Sequence, residues 1–408
     1  MQMKDCTMAM TNTSTRYGAV TKTLHWLTAL GILAAIPLGI LANDWAFDTP
    51  EALAMKALLF SAHKTVGVTI FFVALLRILW ALSQPKPASL HPERRAETLL
   101  AAVVHWLLYG SLVVVPLAGW VHHAATSGFA PIWWPFGQSL PFVPKSEAVA
   151  GTAAALHIIF ERVLIIALGL HILGALKHHF VDRDATLRRM LPGKTEAGQH
   201  GGSHGGLAAP LIALVLWAAA LSAGAGLGAF QHQASAAQVA ALQEVQSDWQ
   251  VQEGTLQIAV QQLGSEVTGS FADWTADITF EDRDQPGKQG EVTVQIAIAS
   301  LSLGSVTAQA MGPDFFDATQ FPTATFRADI LRAADGYVAD GTLTLRGAEM
   351  PVQMPFALTL EGDSAAMDGR VTLDRRDFAI GDTMTDDSQL GFAVDVVVSL
   401  TAIRADAE

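Results

Sequence analysis

The stretch from Val149 to Phe180, VAGTAAALHIIFERVLIIALGLHILGALKHHF, decides the fold of the first half of this chain. It is long and apolar enough to cross a bilayer as one α-helix, since a span needs about 20 residues. His157 and His171 are fourteen residues apart in it, so at about 100° per residue they share one face. At 1.5 Å per residue they also stand about 21 Å apart in depth. Histidines inside a membrane mark functional sites, so the stretch predicts two sites at different depths.

Composition divides the chain near residue 240. Residues 1–239 carry 16 Lys and Arg against 11 Asp and Glu, whereas residues 240–408 carry 9 against 27. All 13 His precede residue 233, so the second half has no imidazole chemistry. The single cysteine, Cys6, excludes an intramolecular disulfide and a cysteine-based haem attachment. The acidic balance argues against nucleic acid as a partner.

Long apolar runs predict five membrane helices before residue 231. The first four fall at about 22–42, 57–82, 98–121 and 149–180, and together they form a transmembrane four-helix bundle. The Gly-rich stretch GKTEAGQHGGSHGG predicts a flexible linker before the fifth helix. The predicted divisions are a cytoplasmic segment (1–21), the bundle (22–192), a cytoplasmic linker (193–206), the fifth helix (207–230), a second linker (231–246) and a C-terminal domain (247–404).

The basic residues predict the orientation in the membrane. Eleven Lys and Arg lie at the N-terminus up to Lys22, in the 83–97 loop and in the 177–206 stretch, whereas the opposite side, with Lys64, holds three. Positive residues stay cytoplasmic, so we expect a multi-pass protein of the bacterial inner membrane with its N-terminus inside. Five crossings then place the C-terminal domain in the periplasm.

The C-terminal domain has an all-β pattern. Segments such as VQIAIASLSLG, GTLTLRG and AVDVVVSLTAI alternate or run β-branched, with Gly, Asp or Pro between them. A spacing of about ten residues per strand and turn predicts one antiparallel barrel or a sandwich.

The remaining membrane histidines predict cofactor sites. His25 lies near the cytoplasmic entry of the first helix, and His63 lies near the periplasmic entry of the second. Depth pairs His25 with His171 and His63 with His157. Each pair can ligate a b-type haem through two imidazoles, which closes the iron to substrates and suits electron transfer. The alternative is that these imidazoles form hydrogen bonds within the bundle.

Other polar residues of the bundle leave alternatives open. Arg77 lies fourteen residues after His63, at the inner depth, and is a candidate partner for a haem propionate, or it extends to the lipid headgroups. Lys64 is the equivalent candidate for the outer haem. His105 either lines a quinone site or forms an interhelical hydrogen bond. Glu161 either relays a proton or pairs with a neighbouring cation. Metal binding is a weaker expectation at three histidine groups, which are His122–His123, His178–His179 and the linker pair His200 and His204.

The first four helices resemble the prokaryotic cytochrome b561 family over about residues 16–192. The matching pieces are RYGAVTKTLHWL, SAHKTVGVTIFFVALLRILW, VVHWLLYGSLVVVPLAGW and ALHIIFERVLIIALGLHILGALKHHFVDRDATLRRMLP. The resemblance implies two haems b on His25, His63, His157 and His171, and electron exchange with a quinone. Some members are thought to pass electrons from superoxide to ubiquinone. Phe160-Glu161-Arg162 departs from the family, which usually has apolar residues there.

Residues 247–404 are similar to the YceI-like family. The matching pieces are DWQV, GSFADW, DFFDATQFPTATF, GTLTLRGAEMPVQMPF and LDRRDFAIG. The resemblance implies a lipocalin-like barrel that holds an isoprenoid lipid, such as a quinone tail, in its interior. The residues themselves support a cavity for one small ligand, because eight-stranded barrels have such room. Candidate lining residues are Phe315, Phe316, Phe321 and Phe326, with ordinary core packing as the alternative.

Two functions follow from these features. The first is a membrane di-haem cytochrome that carries electrons to or from a quinone or quinol, with superoxide as a candidate donor and ubiquinone as a candidate acceptor. The second is a lipid carrier whose haem bundle serves as an anchor or redox sensor. The four histidines favour the first, because an anchor needs only one helix and gains nothing from buried imidazoles.

Overall fold

The computed structural model describes residues 9–46, 49–126, 130–133, 135, 137–195, 206–230, 242, 247–333 and 336–405. Most of the two predicted linkers, at 196–205 and 231–246, therefore lies outside the described residues. The long helices are α1 (Ala19–Asp44), α2 (Pro50–Ser83), α3 (Arg95–Ala125), α4 (Glu147–Phe180) and α5 (Ala208–Gly226). Within the described ranges, these five are long and apolar enough to cross a membrane.

Local sequence sets the helix ends. Helix α2 begins at Pro50 rather than near residue 57, because Pro suits the first helical position and Thr49 caps it. The Thr49 hydroxyl accepts a hydrogen bond from the Ala52 N–H at 3.2 Å. Helix α5 ends at Gly226 rather than at residue 230, because Gly228 adopts a left-handed φ of 82°. Ser146 caps the start of α4 by accepting from the Val149 N–H.

The helical bundle has one apolar core that reaches across its helices. Ile32, Ile70, Leu108 and Leu164 belong to it, one from each of α1 to α4. Helix α5 joins the same core through Trp217, whose ring lies 6.1 Å from that of Phe160 on α4. The fifth helix therefore packs on the four-helix bundle.

The second half of the chain forms a curled antiparallel sheet. Its strands are β1 (Trp249–Gln262), β2 (Ser265–Phe271), β3 (Trp274–Phe280), β4 (Gly287–Ala297), β5 (Leu301–Ser302), β6 (Thr323–Ala333), β7 (Gly336–Leu345), β8 (Ala348–Glu361), β9 (Ser364–Asp374) and β10 (Leu390–Arg404). A single helical turn, α6 (Thr307–Ala310), lies between β5 and β6. The order in the sheet is β3-β4-β6-β7-β8-β9-β10-β1-β2-β5. This arrangement confirms the predicted all-β, lipocalin-like fold.

The sheet surrounds an apolar interior, and side chains rather than a strand ladder close part of it. On β6 the buried residues alternate, with Ala324, Phe326, Ala328 and Ile330 turned inward. The described strands leave β3 and β5 as edges. Trp249 on β1 nevertheless reaches β3, because its indole N–H donates to the Phe280 carbonyl at 3.0 Å. The predicted sandwich alternative is therefore wrong, and the barrel is only partly closed by backbone hydrogen bonds.

Candidate functional site

Four membrane histidines lie in two pairs, in the combinations that depth predicts. The ring centroids of His63 and His157 are 6.2 Å apart, and those of His25 and His171 are 6.1 Å apart. The planes of the paired rings are inclined by 78° and 59°, respectively. Within each pair the two rings come from different helices. The pairs therefore form two separate sites, which we call the outer pair (His63 and His157) and the inner pair (His25 and His171).

The outer pair is held by backbone carbonyl groups. The Nδ1 atom of His63 lies 2.8 Å from the Ala35 carbonyl oxygen on α1, and Nδ1 of His157 lies 2.8 Å from the Val115 carbonyl oxygen on α3. A carbonyl oxygen can only accept, so both rings donate from Nδ1. Each neutral ring then keeps the lone pair of Nε2, which is the tautomer that a metal ligand needs.

A glycine makes room for each outer imidazole. A Cβ on Gly39 would lie 2.8 Å from Cε1 of His63, and a Cβ on Gly119 would lie 2.9 Å from Nδ1 of His157. Each glycine stands four residues after the carbonyl that accepts from the same imidazole. Because glycine has no side chain, the ring can lie directly against the neighbouring helix backbone.

Sequence reasoning missed these glycines, although the sequence holds a signal for them. PLG at 37–39 in α1 and PLAG at 116–119 in α3 repeat one pattern at matching depths. Proline inside a helix removes a backbone donor and disturbs the helix locally. A proline inside the helix therefore lies shortly before each of the two glycines.

The inner pair has a different surrounding. Nη2 of Arg77 on α2 lies 3.1 Å from Nδ1 of His25. The Arg77 guanidinium also lies over the Tyr109 ring, 5.4 Å from its centroid. The ring of His105 meets that of His171 edge-on, with centroids 5.1 Å apart. A cation and a third imidazole thus adjoin the inner pair, whereas the imidazoles of the outer pair donate hydrogen bonds to backbone carbonyl groups.

The structure gives the positions of three further polar residues of the bundle, His105, Glu161 and Lys64. His105 forms its hydrogen bond within its own helix, with Nδ1 donating to the Ala101 carbonyl at 2.6 Å, rather than between helices. The carboxylate of Glu161 lies 3.5 Å from the guanidinium of Arg162, next to it in sequence. Lys64 is buried, with 6% of its surface exposed.

The β domain encloses an apolar cavity of about 230 Å³. Its lining includes Trp249, Phe271 and Met354, and Arg375 is the one charged residue among the described lining residues. Two of the four predicted phenylalanines, Phe316 and Phe326, line this cavity. The other two, Phe315 and Phe321, are not among its described lining residues. Phe321 packs beside Gly347, whose φ of 78° places it in a turn.

The guanidinium of Arg375 is fully engaged by the backbone. It is 3% exposed and donates five hydrogen bonds to carbonyl groups, at Gly391, Ile380, Gly381, Met384 and Leu390. The five N–H donors of an arginine are thereby used. Arg375 therefore holds the loops at one end of the barrel and keeps no N–H free for a molecule in the cavity.

Comparison with known proteins agrees with both halves of this architecture. The family model described as prokaryotic cytochrome b561 matches residues 16–193, and the YceI-like domain model matches residues 248–402. Cytochrome b561 homolog 2 of Escherichia coli (strain K12) is 30% identical over 194 residues, which are 45% of this chain and 95% of that protein. The chain belongs to the prokaryotic cytochrome b561 family. It is a multi-pass membrane protein with a YceI-like domain after the bundle.

Two further proteins each resemble one half of the chain. A probable superoxide oxidase CybB of Yersinia pestis is 27% identical over 183 residues, covering 44% of this chain and 97% of that protein. The crystal structure of Burkholderia cenocepacia BcnA is 27% identical, with a TM-score of 0.34, and covers 36% of this chain and 95% of that chain.

Cytochrome b561 membership implies haem b, and the paired imidazoles have the spacing that such a haem requires. With about 2.0 Å from metal to imidazole nitrogen and about 1.1 Å from nitrogen to ring centroid, two ligating rings are about 6.2 Å apart. The observed separations are 6.2 and 6.1 Å. The Nδ1 hydrogen bonds and the glycine recesses of the outer pair fit the same role.

Proposed function

We propose that this protein is a di-haem cytochrome that carries electrons to or from a quinone across the bacterial inner membrane. One haem b is bound by the outer pair, His63 and His157, and the other by the inner pair, His25 and His171. The observation that carries this proposal is the spacing of both pairs, at 6.2 and 6.1 Å between centroids. When bound, each haem would supply a one-electron carrier, and the two imidazoles of its pair would hold it.

Superoxide is the proposed electron donor and ubiquinone the proposed acceptor. The likeness to a probable superoxide oxidase supports this choice of donor. Two superoxide ions would each lose one electron to give two O₂, and one quinone would take both electrons and two protons to give a quinol. A closed, bis-imidazole site suits this donor, because electrons can pass without binding oxygen at the metal.

Arg77 and Lys64 are proposed to neutralise haem propionates. Arg77 adjoins His25 of the inner pair at 3.1 Å, so its guanidinium is within the inner site. Lys64 follows His63 in sequence and is buried, which places a cation in the outer half of α2. A buried carboxylate binds most strongly to such charge-assisted donors.

The barrel is proposed to bind an isoprenoid chain, such as the tail of a quinone, in the periplasm. Its cavity is lined by hydrocarbon, thioether and indole groups apart from Arg375, whose donors are all engaged. Such a lining favours an apolar tail and offers little to a polar head. The quinone ring would then remain outside the cavity, at the mouth of the barrel.

The haem assignment is tested by spectroscopy on the full-length protein. We expect two haems b per chain and complete reduction by quinol or by superoxide. His63→Ala and His157→Ala should each remove the outer haem, and His25→Ala and His171→Ala the inner one. His179→Ala, outside both pairs, should keep both haems. One haem or none in the wild-type protein would refute the proposal.

The orientation rests on the bias of basic residues, eleven against three, and has its own test. Protease added to intact spheroplasts should remove the β domain, residues 247–404, and leave the bundle at residues 22–192 in the membrane. Protection of the β domain until the membrane is broken would reverse the orientation.

Lipid binding is tested by filling the cavity of the full-length protein. Ala276 lines the cavity, whereas Ala357 on β8 is exposed. Ala276→Trp should reduce the amount of quinone or polyprenol that co-purifies, and Ala357→Trp should not. Equal lipid content in wild type and both variants would show that the barrel does not hold the lipid, and would leave the haem assignment unaffected.

A further inference from the structure

A polar cluster lies beyond the inner end of α4, apart from the two histidine pairs. It consists of His91 in the α2–α3 loop, His178 in the last turn of α4 and Asp184 just after that helix. The Oδ2 atom of Asp184 lies 2.7 Å from Nδ1 of His178 and 3.1 Å from Nε2 of His91. The two imidazole rings are stacked, with an interplanar angle of 12° and centroids 6.1 Å apart. Two ring nitrogens therefore converge on one carboxylate oxygen.

Neighbouring groups orient the side chains of Asp184 and His91. The Asp184 Oδ1 atom accepts the Thr186 backbone N–H at 2.7 Å, which leaves Oδ2 to face the imidazoles. Nδ1 of His91 lies 3.2 Å from the carboxylate of Glu93, and a carboxylate can only accept, so His91 donates from Nδ1. This is the carboxylate–histidine arrangement that orients metal-ligating histidines.

With its Nδ1–H directed to Glu93, His91 turns Nε2 toward Asp184 Oδ2 at 3.1 Å. Nε2 of His91, Nδ1 of His178 and Oδ2 of Asp184 therefore face one another, in the arrangement that a bound cation would bridge.

Nearby cations pair with the other two acidic residues, Asp182 and Glu97, so Asp184 is the carboxylate that faces the two imidazoles. Asp182 also approaches Nδ1 of His178, at 3.1 Å, but Arg94 and Lys177 pair with it at 3.1 and 3.0 Å. Lys177 in turn pairs with Glu97 at 2.9 Å. These cations neutralise Asp182 and Glu97, whereas Asp184 Oδ2 contacts the two imidazoles.

We infer that His91, His178 and Asp184 form a binding site for Zn²⁺ at the inner end of the bundle. Two imidazole nitrogens and one carboxylate oxygen are a ligand set that Zn²⁺ uses, with water in the fourth position. Their ligand atoms lie within 4.8 Å of one another. Tetrahedral Zn²⁺ with bonds of about 2.0–2.2 Å separates its ligand atoms by about 3.3 Å, so the separations must change by at most about 1.5 Å, which side-chain rotation can supply. The ion would join the α2–α3 loop to the end of α4.

The test is a zinc titration of the full-length protein, purified without a histidine tag, stripped with a chelator and then dialysed. The starting protein carries His200→Ala and His204→Ala, because those linker histidines could bind zinc on their own. Isothermal titration with ZnCl₂ and elemental analysis after desalting measure affinity and stoichiometry. The variants are His91→Ala, Asp184→Asn and Glu93→Gln. The matched control is His179→Ala, next to His178 but outside the cluster.

We expect one zinc ion per chain in the starting protein and in the control. His91→Ala and Asp184→Asn should weaken binding at least about tenfold by removing a ligand. Glu93→Gln should weaken it about 10–100-fold by freeing the His91 ring. Helical circular dichroism reports folding, and His91 lies in a loop, so its replacement leaves the helices intact. Absence of zinc binding, or equal binding by control and variants, would overturn the inference.

Discussion

Replacing Gly39 or Gly119 by alanine should remove the outer haem without disturbing the inner one. A methyl group on Gly39 would lie 2.8 Å from Cε1 and 2.9 Å from Nδ1 of the His63 ring. A methyl group on Gly119 would lie 2.9 Å from Nδ1 and 3.1 Å from Cε1 of His157. Carbon atoms in contact are ordinarily about 3.5–4.0 Å apart, so each imidazole must move by roughly 0.6–1.2 Å.

A shift of this size exceeds what the site tolerates. Metal sites require their ligands within about 0.5 Å of the productive geometry. The movement also lengthens the 2.8 Å hydrogen bonds from Nδ1 to the Ala35 and Val115 carbonyls. Loss of such a supporting hydrogen bond typically weakens metal binding about 10–100-fold. The outer haem should therefore fall well below one per chain in either variant.

The assay is haem content by pyridine haemochrome, together with electron paramagnetic resonance of the oxidised protein to distinguish the two low-spin centres. Gly169→Ala on α4 is the matched control, because a Cβ there has no atom within 4 Å and the residue lies on a different face of the helix from His171. The control should keep two haems and should stabilise its helix by up to about 1 kcal/mol. Two full haems with unchanged resonance in both Gly39→Ala and Gly119→Ala would refute the reasoning.

Two further predictions concern arginines. Arg77→Gln removes a cation 3.1 Å from His25, so the reduction potential of the inner haem should fall on the order of 50–100 mV in a redox titration, and that of the outer haem should stay constant. Arg162→Gln, whose side chain is 70% exposed, is the charge-matched control, and an equal shift in both variants would contradict a local effect. Arg375→Leu leaves five carbonyl groups without their donor and should destabilise the barrel by about 3–5 kcal/mol in urea unfolding. Arg376→Leu, on the exposed neighbour, should change the midpoint much less, and similar losses in both would argue against this role for Arg375.

The pairing of the histidines could be predicted from the sequence because it depends on helix geometry alone. A fourteen-residue spacing returns nearly to the same face of a helix, so His157 and His171 had to point in similar directions. Depth then assigned His63 and His25 to them. The barrel was predictable for a similar reason, since alternation with period two and regular turns define an antiparallel sheet.

The groups that hold the imidazoles could not be predicted in the same way. The carbonyls of Ala35 and Val115 carry no sequence signature, and their use depends on how α1 and α3 are rotated against α2 and α4. The contact of His105 with His171 likewise depends on helix rotation, which side-chain packing decides. The zinc cluster joins a loop to a helix end across 93 residues between His91 and Asp184, a separation that periodicity does not address.

The different surroundings of the two pairs give the proposed electron path a direction. At the outer pair, Nδ1–H donation to a backbone carbonyl makes each imidazole a more basic ligand, which favours oxidised iron and lowers the reduction potential. At the inner pair, the Arg77 cation beside His25 favours reduced iron and raises it. On the proposed ligation, these two contacts favour movement of an electron from the outer to the inner haem, and the Lys64 cation proposed for the outer haem reduces the difference. Oxidation of superoxide outside and reduction of a quinone at the inner site would both run in this direction, whereas oxidation of quinol at the inner site would run against it.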